Sequence, residues 1–254
     1  MGRMCARRYT GGIDIHGERK VARTLGVLGG MGPLATADFL AKVVAATPAA
    51  RDQDHIPLIA WSVPQIPDRV PAILDGTPSP LPAMLAGIRT LKGAGAQGIA
   101  IACNTAHYWF EPLQAEGGVP ILHIADAALL EARRRAPGAR SIGLLATSGT
   151  IAAGFRQARF AAAGCTTVLP PPADQALLLQ AIALVKANDV PQAAALTQQV
   201  AQHLLANGAD ILIAGCTELP IALAGCDAQL QARIVDATAA LAAACVAWSR
   251  AELP

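Results

Sequence analysis

Two cysteines occupy equivalent places in a repeated sequence pattern. The stretches 95–107 (GAQGIAIACNTAH) and 208–220 (GADILIAGCTELP) both open with Gly-Ala and continue through an apolar segment. Each reaches a cysteine eight positions after its first glycine, Cys103 in one copy and Cys216 in the other. A short apolar run that ends in polar residues is typical of a buried parallel strand, and open α/β sheets bind ligands at the carboxyl ends of their strands. The pattern therefore predicts two thiols that face one pocket.

Two thiols on opposite sides of a carbon atom have the chemistry needed to invert its configuration. A thiol has a reference pKa of about 8.5, which a helix N-terminus or a cation lowers, so one sulfur can remove a proton while the other donates one. At reacting distances of about 3–3.5 Å the two sulfurs would lie roughly 7 Å apart, too far for a disulfide. A lone cysteine at a strand end is usually a small core residue. The pair within a repeat favours the catalytic interpretation.

A second repeated motif indicates which elements position the cysteines. Residues 25–32 (LGVLGGMG) align with residues 142–149 (IGLLATSG). The first motif precedes its cysteine by 77 residues, counted from Gly26, and the second by 73 residues, counted from Gly143. Two motifs in the same order at nearly the same separation indicate an internal duplication. Alternating strand and helix patterns predict an α/β fold with parallel sheets.

The duplication predicts two similar domains, each a short parallel sheet flanked by helices. They are expected to be related by a pseudo-two-fold axis, with the active site between them. The first domain is predicted to comprise residues 24–124 and 231–254, because chain termini tend to lie together, and the second residues 125–230. Residues 1–23 are basic and polar and are interpreted as a disordered leader.

Polar side chains follow each predicted strand that approaches the pocket. Asn104, Thr105 and Thr217 come directly after the two cysteines. The turn at the start of the next predicted helix consists of Thr147, Ser148, Gly149 and Thr150. Hydroxyl, amide and backbone donors at such positions are suited to a carboxylate or a developing enolate oxygen.

Composition excludes several classes of function. The chain of 254 residues has a net charge of +2 and 15% charged residues, without the basic field that nucleic acids require. No apolar window of about 18 residues predicts a membrane span. The six cysteines include no CxxC pair, so neither a disulfide framework nor a zinc site is expected. We predict a cytoplasmic protein with no bound metal, in which Cys5, Cys165, Cys226 and Cys245 are bystanders.

Five motifs together resemble the aspartate/glutamate racemase family, and most closely its aspartate racemase branch. In chain order they are GVLGGMGPLATADF, PQIPDR, ACNTAH, LLATSGT and AGCTELP. The resemblance extends over residues 25–236, nearly the whole chain beyond the leader. It implies a racemase that needs neither pyridoxal phosphate nor another cofactor, that acts on a free dicarboxylic amino acid such as aspartate and that forms a homodimer. It assigns proton transfer to Cys103 and Cys216.

The resemblance also implies roles for residues around the two cysteines. Carboxylate contacts fall on Met31 together with the polar residues named above. Recognition of an acidic side chain falls on Arg69 in the PQIPDR motif and on Lys186 in the second half. A cation in a proline-stiffened loop suits a second carboxylate. An ion pair of Arg69 with Asp68 and a solvated helix end at Lys186 are the simpler alternatives.

Two further residues are candidates for assisting roles. His107 either modulates the Cys103 thiol or forms structural hydrogen bonds. Glu218 either binds the substrate ammonium, assists Cys216 or caps the following turn.

Several other functions remain open from the sequence. Related chemistry includes glutamate, hydantoin and broad-specificity amino-acid racemases, and a maleate isomerase in which one cysteine adds to a double bond. An arylmalonate decarboxylase needs only one of the two thiols. A regulatory protein that binds a carboxylate without turnover is the alternative outside enzymes. Discrimination between aspartate and glutamate depends on pocket geometry worth ~1–3 kcal/mol.

Overall fold

Eight strands form two sheets within residues 22–251, the part of the chain that the computed structural model describes. The strands are Leu25–Gly29 (β1), Leu58–Ser62 (β2), Gly98–Ile101 (β3), Ile121–Leu122 (β4), Ser141–Leu145 (β5), Thr166–Val168 (β6), Ile211–Ala214 (β7) and Ile234–Asp236 (β8). Strands β1, β3 and β7 are buried along their whole length. Such continuous burial explains why they appear in the sequence as apolar runs without alternation.

Helices follow or separate most of the strands. They are Pro33–Ala46 (α1), Arg69–Leu74 (α2), Leu81–Gly93 (α3), Phe110–Gly117 (α4), Ile124–Arg135 (α5), Ser148–Ala153 (α6), Phe155–Ala162 (α7), Pro172–Lys186 (α8), Val190–Ala206 (α9), Leu219–Leu223 (α10), Ala228–Ala232 (α11) and Ala237–Arg250 (α12). Short 3-10 helices cover Asp52–Asp54 and Thr105–Trp109. Among the described residues no helix is both long enough and apolar enough to cross a membrane.

The two sheets have the same topology. All strand pairs are parallel, in the order β2-β1-β3-β4 in one sheet and β6-β5-β7-β8 in the other. Just beyond β3, the Ala102 amide donates to the carbonyl of Leu28 at 3.0 Å, and just beyond β7, Gly215 donates to Leu145 at 2.7 Å. The next residue in each half is a cysteine. The predicted fold of two duplicated α/β halves is therefore confirmed at the level of strand order and register.

One apolar core continues from the first half into the second. It contains Leu25 and Phe39 from the first half, Ile142 and Ile213 from the second, and Leu241 on α12, each almost fully buried. Helix α12 packs against both α1 and α5. Because α12 contacts elements of both halves, it fixes the position of one sheet relative to the other.

Two helices differ from the sequence prediction. The proline-rich sequence from Val63 to Pro82 predicts a long connection between elements, but it contains α2. This helix forms because the Asp68 side chain accepts a hydrogen bond from the Val70 amide and caps its first turn. The single helix predicted to start at Thr147 is divided into α6 and α7, because Gly154 between them has a left-handed backbone conformation.

The predicted domain bounds differ from the sheets in one element. Strand β8 lies within 231–254, the segment assigned to the first domain, yet it pairs with β7 in the second sheet. Only after β8 does the chain return, as α12, to pack on α1. The bounds stay a prediction, with β8 belonging to the second sheet. The leader predicted over residues 1–23, with Cys5, lies outside the described residues except for residues 22 and 23.

Candidate active site

The carboxyl ends of the central strands of both sheets open onto one small cavity. The space between the lining atoms is about 350 Å³, including open solvent at the mouth of the cavity. Its lining residues are Met31, Asp68, Arg69, Val70, Cys103, Asn104, Thr105, Thr147, Lys186, Cys216, Thr217 and Glu218. The fold thus brings together both cysteines and most of the predicted substrate residues. Ser148, Gly149, Thr150 and His107 do not line the cavity.

Cys103 is held in place through its own backbone. The His107 ring Nδ1 lies 2.9 Å from the Cys103 carbonyl oxygen, and its Nε2 lies 3.3 Å from the amide of Ile124. Since an amide only donates and a carbonyl only accepts, the proton is on Nδ1 and the ring is neutral. Burial lowers the pKa of His107 to about 4. Its role is therefore to fix the strand end that presents the first thiol.

Cys216 forms a hydrogen bond with a neighbouring carboxylate. Its Sγ lies 2.9 Å from Oε2 of Glu218, and the hydroxyl of Thr217 donates to the same oxygen at 3.0 Å. All three residues are buried. Burial raises the pKa of Cys216 well above its ordinary value, and the Glu218 charge raises it further. Cys216 is therefore a protonated thiol at neutral pH, with an acceptor beside it.

Three threonines connect the two halves behind the cavity. The hydroxyl of Thr105, from the first half, lies 2.9 Å from that of Thr150 and 3.3 Å from that of Thr147. Thr147 also caps α6 by accepting from the Thr150 amide at 3.2 Å. Gly149 allows α2 to pack closely on α6, because a Cβ there would lie 3.1 Å from the Val70 side chain. Thr150 and Gly149 thus support the cavity wall and do not form it.

Two cations at the cavity have no ion-pair partner within residues 22–251. Arg69 Nη1 donates to the carbonyl of Pro67 at 3.1 Å, and Nη2 lies 3.4 Å from the carbonyl of Met31. The Asp68 carboxylate caps α2 through Oδ1 and forms no ion pair with Arg69. Lys186 is the exposed last residue of α8. Both charges are therefore available to an anion in the cavity.

Sequence reasoning missed Arg156, a fully buried arginine on α7. Its Nη2 donates to the Oδ1 of Asn104, one of the lining residues. The signal was present but weak: Arg156 and Phe160 stand four residues apart and share the buried face of the helix. A charged residue in that position is normally interpreted as exposed.

A comparison with protein families agrees with this geometry. The Asp/Glu/hydantoin racemase model matches residues 28–245. The chain belongs to the Asp/Glu/hydantoin racemase family. The family predicted from the five sequence motifs is therefore confirmed.

Individual racemases are similar over most of the chain. The broad specificity amino-acid racemase RacX of Bacillus subtilis (strain 168) is 29% identical over 226 residues, which cover 86% of this chain and 94% of RacX. The structure of an aspartate racemase from Picrophilus torridus matches with a TM-score of 0.76 and 31% identity, covering 88% of this chain and 93% of that one. An aspartate racemase homologue from Pyrococcus horikoshii OT3 has a TM-score of 0.72 at 23% identity, covering 89% and 99%, and shares the fold.

We expect the free energy of unfolding of this racemase-family protein to fall as the pH decreases from about 6.5 to about 4, partly through His107. The pKa of His107 is near 6.5 when unfolded and about 4 when folded, so the unfolded state binds more protons in this window. Stability therefore rises with pH there, by about 3 kcal/mol for this group. Burial lowers the pKa of His123 as well, to about 2.

Urea denaturation at pH 7, 5.5 and 4.5 measures this dependence. His107→Gln keeps one donor and one acceptor but does not titrate in this range, so its stability should vary less with pH than that of the wild type. His55→Gln, at a histidine that is only partly buried, is the control. An unchanged pH dependence in His107→Gln would contradict the assignment of a neutral buried ring.

Proposed function

We propose that this protein is a cofactor-independent aspartate racemase that inverts the α-carbon by proton transfer between two thiols. The observation that carries the proposal is that Cys103 and Cys216, one from each half of a duplicated fold, line the same cavity. Membership of the racemase family supports the reaction type. The similarity to the aspartate racemase of Picrophilus torridus supports the substrate.

The proposed step uses the two sulfurs in different protonation states. The thiolate of Cys103 removes the α-proton from one face, while the S–H bond of Cys216 breaks and delivers its proton to the other face. One C–H bond breaks and one forms, and the cysteines exchange protonation states. In the reverse direction the thiolate of Cys216 is the base, and the S–H bond of Cys103 breaks to supply the proton. The Glu218 carboxylate, 2.9 Å from the Cys216 sulfur, is placed to orient the S–H bond of Cys216 in the forward direction.

The substrate is held by donors on two sides of the cavity. The α-carboxylate is assigned to Asn104, Thr105 and Thr217, which follow the two cysteines directly. The side-chain carboxylate is assigned to Arg69 and Lys186, since charge-assisted hydrogen bonds to a carboxylate are the strongest that a cavity of this composition offers. Negative charge that develops on the α-carboxylate during deprotonation is stabilised by the donors of Asn104, Thr105 and Thr217.

A broad-specificity amino-acid racemase is the second candidate. RacX, a broad specificity amino-acid racemase, is similar over 86% of this chain. Lys186 is exposed at the end of its helix, so a substrate without a second carboxylate leaves it solvated at little cost.

An assay of both enantiomers of a panel of amino acids in deuterated water tests these proposals. We expect aspartate to racemise fastest, with one deuterium incorporated at the α-carbon, and at a rate that neither a chelator nor added pyridoxal phosphate changes. Equal rates on neutral amino acids would favour broad specificity. A protein that converts added maleate to fumarate but incorporates no deuterium into aspartate would instead be an isomerase. Binding of an amino acid without any turnover would favour a regulatory protein that binds carboxylates.

A further inference from the structure

Arg156 is a buried cation that forms no ion pair with a carboxylate of residues 22–251. Its side chain is 0% exposed, and within the described residues its Nε and Nη1 have no hydrogen-bond partner. Charges on Asp126 and on Cys216 act on it only at longer range, and Asp126 is already paired with Arg159 at 2.7 Å. Burial lowers the pKa of Arg156 to about 9, which still leaves it charged at neutral pH. An isolated buried charge is costly unless another group compensates it.

The direct partner of Arg156 is the Asn104 amide, and the contact fixes how that amide is oriented. A guanidinium has only donors, so the atom of Asn104 that faces Arg156 must be the oxygen. The Nδ2 group of Asn104 is consequently turned away from it. That nitrogen is buried and has no partner within the described residues, although Asn104 lines the cavity. A buried amide donor without a partner costs free energy, and a carboxylate oxygen in the cavity would remove that cost.

We propose that Arg156 is a positioning residue that directs the Asn104 amide toward the substrate α-carboxylate and transmits positive charge to it. This inference rests on the proposed racemase function. The α-carboxylate is the group concerned because Asn104 is adjacent in sequence to Cys103, whose sulfur must reach the α-carbon. Arg69 and Lys186 are then left to the side chain of the substrate.

The expected consequence is larger in the transition state than in the ground state. A donor chain from a cation through an amide is polarised, which strengthens the final hydrogen bond. Removal of the α-proton increases the negative charge on the α-carboxylate, so the same chain binds the transition state more tightly than the substrate. Loss of Arg156 should therefore lower kcat as well as raise KM.

A positioning role and a purely structural role for Arg156 predict different effects of its replacement on the Tm. Burying a charge without a counter-charge costs free energy, and an apolar side chain of similar length removes that cost. Arg156→Met should therefore keep or raise the Tm while it lowers catalysis. If Arg156 served only to hold α7 in place, the Tm and the activity would decrease together.

The test compares Arg156→Met, Arg156→Lys, Asn104→Ala and the double variant Arg156→Met/Asn104→Ala in the full chain. We expect Arg156→Met to lower kcat/KM about 10- to 100-fold, and Arg156→Lys to restore part of it because it keeps a charged donor. The double variant should be no slower than Asn104→Ala alone, because Arg156 acts through that amide. Arg159→Met, the same change on the same helix, is the matched control and should keep wild-type kinetics.

The outcomes separate this inference from the proposed function. Wild-type kcat/KM in Arg156→Met, or losses that add fully in the double variant, would overturn the role of Arg156 while racemisation itself stands. If wild-type protein turns over no amino acid, calorimetric titration of wild type and Arg156→Met with L-aspartate tests whether Arg156 positions the carboxylate. Binding that Arg156→Met weakens would support carboxylate positioning without racemisation, and equal binding by both proteins would overturn it.

Discussion

Cys103→Ser and Cys216→Ser are each expected to lower kcat/KM for racemisation by at least about a thousandfold. A hydroxyl has nearly the shape of a thiol but is far less acidic, so a serine neither becomes the base nor supplies the proton at a comparable rate. Both sulfurs line one cavity, and inversion needs a working group on each face. Neither cysteine should compensate for the loss of the other.

The single variants should nevertheless retain a partial reaction. The remaining thiol can remove the α-proton from the enantiomer that faces it and return a deuteron from solvent to the same side. In deuterated water each variant is thus expected to exchange the α-hydrogen of one enantiomer without inverting it, and the two variants should prefer opposite enantiomers. Mass spectrometry combined with chiral chromatography measures both quantities.

Cys165→Ser provides a matched control for these variants. Cys165 is also buried, but it does not line the cavity. Its Sγ lies 4.0 Å from the carbonyl oxygens of Ala139 and Ala163. A serine hydroxyl can donate to the same oxygens, so wild-type kinetics are expected. Racemisation by Cys103→Ser or Cys216→Ser at more than a tenth of the wild-type rate would rule out the two-thiol mechanism.

Arg69→Leu and Lys186→Leu are expected to change the choice of substrate. Each should lower kcat/KM for aspartate about 10- to 100-fold, since a hydrogen bond to a charged group contributes about 1.5–3 kcal/mol. For alanine, which has no second carboxylate, the change should be less than about threefold. Initial rates on both amino acids with the wild type and each variant give the ratio directly.

Lys186→Leu is the cleaner of the two variants. Arg69 also contacts the carbonyls of Pro67 and Met31, so its removal affects the cavity wall, whereas Lys186 is exposed and has no such contacts within the described residues. Lys92→Leu, at another exposed lysine near the end of a helix, is the control. Equal losses on aspartate and alanine would show that these cations do not select the acidic side chain.

Much of this fold was predictable because its signals are local. Buried parallel strands appear as short apolar runs, and the glycine turns and polar residues that follow them mark the strand ends. The repeat of both motifs at nearly equal spacing then indicated duplication. The helices that were not predicted correctly were α2, where a single capping aspartate at position 68 starts a six-residue helix, and α7, which a left-handed Gly154 separates from α6.

The sequence by itself determined that two cysteines end equivalent strands, because strand periodicity and the following polar residues are properties of neighbouring positions. Tertiary structure alone decided the environment of those thiols. Asn104 and Arg156 are 52 residues apart and meet only when the two halves pack together. The pKa of Cys216 is raised by burial together with Glu218, and burial is created by the whole fold. Adjacency along the chain specifies which groups are present, whereas contact between distant segments sets their orientation and charge.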